Sequence, residues 1–262
     1  MLSILYQDDA LVVVNKPAGL LVHKSPIDRH ETQYAMRILR DQIGCWVYPV
    51  HRLDKPTSGV LVFGLSSEVA AIFSAAFENH EVEKDYLAVV RGFPPESGCI
   101  DHPIRETAMF KSDKGKYEAK EARSAITHYQ RLATIELPVA VDKYPASRYA
   151  LMRLSPVTGR QHQLRRHMKH LSHPIIGDPK YGKSNHNRFF AEHIGVERLL
   201  LACTQMGFKH PLTGQWMRVR APLDAAFDQV LSEFGWSAIV DDSLAMDRRL
   251  GEEQSESCSC LR

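Results

Sequence analysis

His51-Arg52-Leu53-Asp54-Lys55-Pro56-Thr57-Ser58-Gly59 is a polar stretch that runs directly into the apolar segment at residues 60–65. Pro56 and Gly59 mark a turn, and the branched residues after it have the composition of a buried strand. Asp54 is therefore carried on a turn that feeds the core, flanked by Arg52 and Lys55. A carboxylate in such company is either a surface ion pair or an acid aimed into a pocket. The residue types leave both readings open.

Working outward, residues 10–15 form a short β-branched run stopped by Lys16-Pro17-Ala18-Gly19, which predicts a strand and a turn. Apolar residues at helical spacing predict helices over 32–43, ended by Gly44, and over 67–80. A strand is expected at 85–92, then a lysine-rich exposed excursion at 109–122. Alternation returns at 124–137 and 149–154, a helix is expected at 161–171 and a strand at 199–208. A last helix is expected at 222–234, with Pro222 near its start and Gly235 past its end. Strands mixed with helices in no βαβ rhythm predict an α+β fold.

The 262 residues are 44 % hydrophobic and 24 % charged, which excludes wholesale disorder. Apolar runs fall far short of the roughly 18 residues of a membrane span, and no export signal precedes residue 10. Five cysteines without such a signal predict reduced thiols and a cytoplasmic protein. The net charge is only +2, but residues 158–188 carry seven basic side chains against one acid, Asp178. A concentrated basic face is the footprint of a nucleic-acid binder, or simply a solvated helix. Residues 241–262 carry a net charge of −3 and predict a disordered acidic tail.

No dinucleotide fingerprint, phosphate loop, zinc-protease signature or paired C-x-x-C is present. His167, His170 and His173 sit among arginines that would repel a cation, so they read as surface or RNA-facing residues rather than metal ligands. The second local feature is Thr158-Gly159-Arg160-Gln161-His162-Gln163-Leu164-Arg165-Arg166-His167. It reads as a phosphate site at a basic helix's start, or as an amphipathic helix packing Leu164, Met168 and Leu171 inward.

Four ordered blocks bring these features together. They are H-R-L-D-x-x-T-S-G at 51–59, K-x-Y-x-A-x-V-x-G at 84–92, T-G-R-x-H-Q-L-R-x-H at 158–167 and H-P-I-I-G-D-x-x-Y-G at 173–182. Up to its tail, the chain resembles the RluA-type pseudouridine synthases. The resemblance implies a mixed, largely antiparallel sheet with flanking helices and a central cleft, formed by one catalytic domain over 1–240. With the first block at residue 51, no space is left for an added N-terminal S4-type domain.

The resemblance also assigns roles. Asp54 is the reacting carboxylate and Arg165 its buried partner. Tyr86 stacks on the uracil, with its oxygen placed to accept the C5 proton. Arg52 fills the gap left by a flipped nucleotide. His51, Arg160, His162, Arg166, Lys169 and Lys180 are expected to contact RNA. Isomerisation exchanges no atoms or electrons, so neither metal nor cofactor is expected. Residues 137–148, 187–195 and the Lys55-Pro56 pair point to a tRNA-modifying branch whose target is a T-stem uridine (tRNA position 65). An rRNA-modifying relative and a non-catalytic RNA-binding protein are the competing readings. A monomer without an obligatory protein partner is expected. One departure stands out: Leu201-Ala202-Cys203 replaces the family's Leu-His-Ala, a change expected to affect RNA or packing contacts and leave the chemistry untouched.

Overall fold

The computed structural model describes residues 1–24, 30–105 and 121–240. Nearly all of the excursion expected at 109–122 lies outside them, as does the tail expected at 241–262. The elements in chain order are β1 (Ser3–Gln7), β2 (Leu11–Lys16), α1 (Ala35–Ile43), β3 (Tyr48–Pro49), β4 (Ser58–Gly64), α2 (Ser67–Glu78), β5 (Glu83–Arg91) and β6 (Ser97–Asp101). They continue with β7 (Ile104–Arg105), β8 (Ala122–Arg123), β9 (Ile126–Leu137), β10 (Ser147–Pro156), α3 (Gln163–His170), α4 (Ser184–Phe189), β11 (Leu201–Lys209), β12 (Trp216–Arg220) and α5 (Ala225–Glu233).

Ten strands form one sheet along the path β1-β2-β4-β11-β5-β10-β9-β6, with β3 on β4 and β12 on β11. β4 and β11 pair parallel, while the other neighbours on that path pair antiparallel. This is the α+β arrangement the irregular strand order predicts. β4 is buried along its whole length, as its Val60-Leu61-Val62-Phe63 core demands.

Helix ends follow local chemistry. The Ser66 hydroxyl caps α2 by accepting the Val69 amide at 3.2 Å, and Gly44 closes α1 in the left-handed region at φ +72°. The final helix begins later than expected, because Asp224 and not Pro222 caps it, accepting the Phe227 amide at 3.0 Å. The short helix α4, which runs into a π-helical turn at Phe190–Ile194, was not legible in the sequence.

Two cores sandwich the sheet's middle. On β5, Leu87 and Val89 join Tyr149, Phe190 and Phe227, whereas Ala88 and Val90 join Met152, Leu164 and Met168. The period-two alternation therefore places α5 on one face and α3 on the other. Every even-numbered residue of β5 looks toward α3. That face carries the site.

Candidate active site

The turn after Leu53 holds Asp54 by two backbone devices. The Thr57 amide donates to the Asp54 carbonyl at 3.0 Å, closing the turn that sends the chain into β4. From behind, the fully buried Lys16 Nζ donates to the carbonyls of Pro17, Leu20 and Lys55 at 2.9, 2.8 and 3.2 Å. Three donors meet three acceptors, so this lysine stitches the end of β2 to the Asp54 loop. Burial, then the nearby Arg198, pulls its pKa down to about 7, against the pull of Asp54. Only the Lys-Pro-Ala-Gly turn hinted at it in the sequence.

Gly59 is needed at the start of β4. Its φ is +113°, and a Cβ there would overlap the Cys203 backbone carbonyl of β11. The parallel pair β4–β11 thereby brings the Asp54 turn against the strand that also borders β5.

From α3, the Arg165 guanidinium donates Nη1 to Asp54 Oδ2 at 3.2 Å. Its tighter partner is Asp178, reached through Nε at 2.7 Å and Nη2 at 2.9 Å. The expectation that Arg165 is a buried partner of Asp54 holds geometrically, but as one side of a bridge. Burial opposes the charge on Arg165, and the two carboxylates, Asp178 foremost, overcome it and raise its pKa. Burial likewise opposes the charge on Asp178, but Arg165 and the amides of Tyr181 and Lys180 hold it below the ordinary carboxylate range. In the sequence Asp178 counted as the lone acid of a basic stretch and as part of the fourth block, with no role attached.

His162 precedes α3 in the left-handed conformation, φ +54°, uncommon for a residue with a side chain. It places Nε2 3.9 Å from Asp54 Oδ1, while Nδ1 lies 3.0 Å from the Tyr181 hydroxyl. Burial first lowers its pKa, and Arg165 and Lys180 add to this against the pull of Asp54. The residue expected to contact RNA thus lies in the cleft beside Asp54. The Tyr181 ring is also flanked by Arg165, Lys169 and Lys180 at 5.2, 5.8 and 5.5 Å.

Asp54, Arg165, His162, Arg52 and Tyr86 share one cleft of about 660 Å³. Tyr86 lies opposite Cys203 across the β5–β11 pair. Burial first, then Cys203 and the charge of Asp54, pushes the phenol pKa well above its ordinary value. The phenol is therefore protonated at neutral pH. The Cys203 departure lies directly across a strand pair from a residue expected to be catalytic.

His51, expected to contact RNA, lines the same cleft: its Nε2 accepts the Val62 amide at 3.0 Å, its ring stacks on Phe77, and burial pulls its pKa down to about 3. One expectation about the histidines needs correction. His167 is not surface-exposed but buried, bonded to the Thr127 hydroxyl and the His102 carbonyl. His173 lies beyond α3, bonded to the Arg91 carbonyl, so the three histidines share no face. Arg160 and Arg166 reach the carbonyls of Ser124 and Arg105, and Lys169 and Lys180 are exposed. The Thr158-Gly159 turn is braced internally: Gln163 Oε1 accepts the Thr158 hydroxyl and the Arg160 amide at 2.7 and 2.9 Å.

A carboxylate, an arginine locked beside it and an aromatic ring in one cleft suit chemistry on a flipped base. Residues 10–170 match the RNA pseudouridylate synthase family, and the chain belongs to it. It is an isomerase of that family. Among its relatives, the chain is 53 % identical over 236 residues to tRNA pseudouridine synthase C of Vibrio cholerae, covering 90 % of this chain and 97 % of the relative. It is 52 % identical to the protein of the same name from Pasteurella multocida, with coverage of 90 % and 97 %. Among solved structures it resembles human RNA pseudouridylate synthase domain containing 4, at TM-score 0.66 and 29 % identity over 88 % of this chain and 92 % of that one. The human domain containing 1 protein aligns at TM-score 0.64 and 25 % identity, over 89 % and 94 %.

Proposed function

We propose that this enzyme converts a uridine of tRNA to pseudouridine, at a T-stem position, with Asp54 as the reacting carboxylate. The observation that carries the reading is the Asp54–Arg165–Asp178 bridge at the wall of a cleft that also holds Tyr86. The tRNA assignment is supported by the relatives of about 50 % identity that bear a tRNA pseudouridine synthase name.

The reaction breaks N1–C1′, turns the uracil and forms C5–C1′, while C5 loses a proton and N1 gains one. Arg165 keeps Asp54 oriented, and Asp178 keeps Arg165 from swinging away. Tyr86 supplies a ring for the uracil to stack on and a hydroxyl that donates or relays a proton. The family chemistry calls for neither metal nor cofactor. Arg52, exposed at the cleft, takes the position of the flipped nucleotide. Arg160, Arg166, Lys169 and Lys180 hold RNA phosphates, which position the substrate without reading sequence.

Residues 1–240 act as one catalytic unit, a monomer in the cytoplasm with no obligatory protein partner. Among the described residues no helix is long and apolar enough to cross a membrane, and Cys45, Cys99 and Cys203 are free thiols.

The test is tritium release from 5-tritiated uridine in a tRNA transcript. Wild-type protein releases it and ignores a transcript with cytidine at the T-stem target. Asp54→Asn keeps the side-chain volume, binds the RNA and releases nothing. Turnover by Asp54→Asn, or conversion of an rRNA fragment beside inert tRNA, overturns the reading.

A further inference from the structure

Lys84 is a cation inside the cleft, paired with no carboxylate among the described residues. On β5 it stands two residues before Tyr86 and shares the face that looks toward α3. Among the described residues its ammonium has one polar contact, the Val157 carbonyl at 3.5 Å, which is long for a hydrogen bond. The Phe77 ring lies 5.8 Å away. Glu78 lines the same cleft, yet no ion pair joins it to Lys84 among the described residues.

The contrast with Lys16 is instructive. That lysine is fully buried and uses all three donors on carbonyls, so its role is complete within the protein. Lys84 is half-buried, has its pKa lowered by burial, and keeps donors to spare. Such a group is electrostatically incomplete until a ligand brings the anion.

We propose that Lys84, walled by Phe77, forms a subsite for the backbone phosphate next to the target uridine. The inference rests on the RNA-isomerase reading above and extends it by one contact. With the uracil over Tyr86 and its sugar toward Asp54, the phosphodiester falls about one i, i+2 strand step, roughly 6.6 Å, along the same wall. A phosphodiester is the charged group that RNA presents there. Arg123 and Arg160 line the same cleft and add positive potential.

The experiment is equilibrium binding of a T-stem transcript across a salt series. It is repeated with a single uncharged methylphosphonate linkage on either side of the target uridine. Lys84→Gln should lower the slope of log affinity against log salt by about 0.7–0.9. One methylphosphonate should weaken binding by wild type and leave Lys84→Gln unaffected, while Lys84→Arg restores both effects. An unchanged slope together with an unchanged methylphosphonate penalty in Lys84→Gln overturns the proposal. Should the variants fail to fold, the wild-type scan decides: insensitivity at both flanking linkages refutes the subsite. Tritium release by wild type reports separately on the isomerase reading, so failure of one is distinguishable from failure of the other.

Discussion

Arg165 grips Asp178 through two nitrogens, at 2.7 and 2.9 Å, and spends only its remaining nitrogen on Asp54, at 3.2 Å. The Asp178 side chain is fully buried. The fixed end of the bridge therefore lies in the interior and the looser end in the cleft that Asp54 lines.

Asp178→Ala should destabilise the protein by about 3–5 kcal/mol, because it strands a buried guanidinium. Turnover should fall as well, since nothing then fixes the angle at which Arg165 meets Asp54. Urea denaturation and tritium release measure the two effects. A variant as stable as wild type would remove Asp178 from the bridge.

Tyr86→Phe should preserve RNA affinity and stacking while turnover falls sharply. Because burial, Cys203 and Asp54 raise the phenol pKa, wild-type activity should show no rise as pH approaches 10. Both come from pH–rate profiles at saturating RNA. Phenylalanine turning over like tyrosine would leave the hydroxyl without a chemical role.

Gly59→Ala should cost about 3 kcal/mol or more, since it combines a strained φ with a clash against backbone that cannot step aside. Activity should be lost with it, because the same residue joins the Asp54 turn to β11. Circular-dichroism melts of the purified variant settle it, and a melting temperature near wild type would contradict the close approach.

Mild acid should destabilise the protein before its carboxylates titrate. Burial, the leading cause at each, depresses the pKa of His51 to about 3 and lowers those of His162, His167 and His186. The unfolded chain binds protons at these residues below about pH 6.5, where the native state does not, so stability present above that pH is lost as pH falls. The melting temperature should drop from pH 7 to pH 5. His51→Gln should flatten that slope by up to about 1.4 kcal/mol per pH unit. A flat profile in wild type would show that these rings are not held neutral.

By itself, the sequence determined the parts that depend on neighbours along the chain. Residues 51–59 read as a turn feeding a core strand because Pro56 and Gly59 act locally and the apolar run follows at once. Helix α3 was legible because Leu164, Met168 and Leu171 repeat at helical spacing, and the family blocks carried Asp54, Arg165 and Tyr86 by residue type and order. Only the tertiary structure decided what each side chain faces. Asp178 stood in a family block with no role attached, and Cys203 read as a change in RNA or packing contacts. The fold sets one behind Arg165 and the other across a strand pair from Tyr86. His51 and His167 read as RNA-facing; the fold engages the first with the Val62 amide at the cleft and buries the second on Thr127. Periodicity along one element records which face is apolar, but burial, charge compensation and pKa depend on partners many residues away, and those distances are set only when the chain closes.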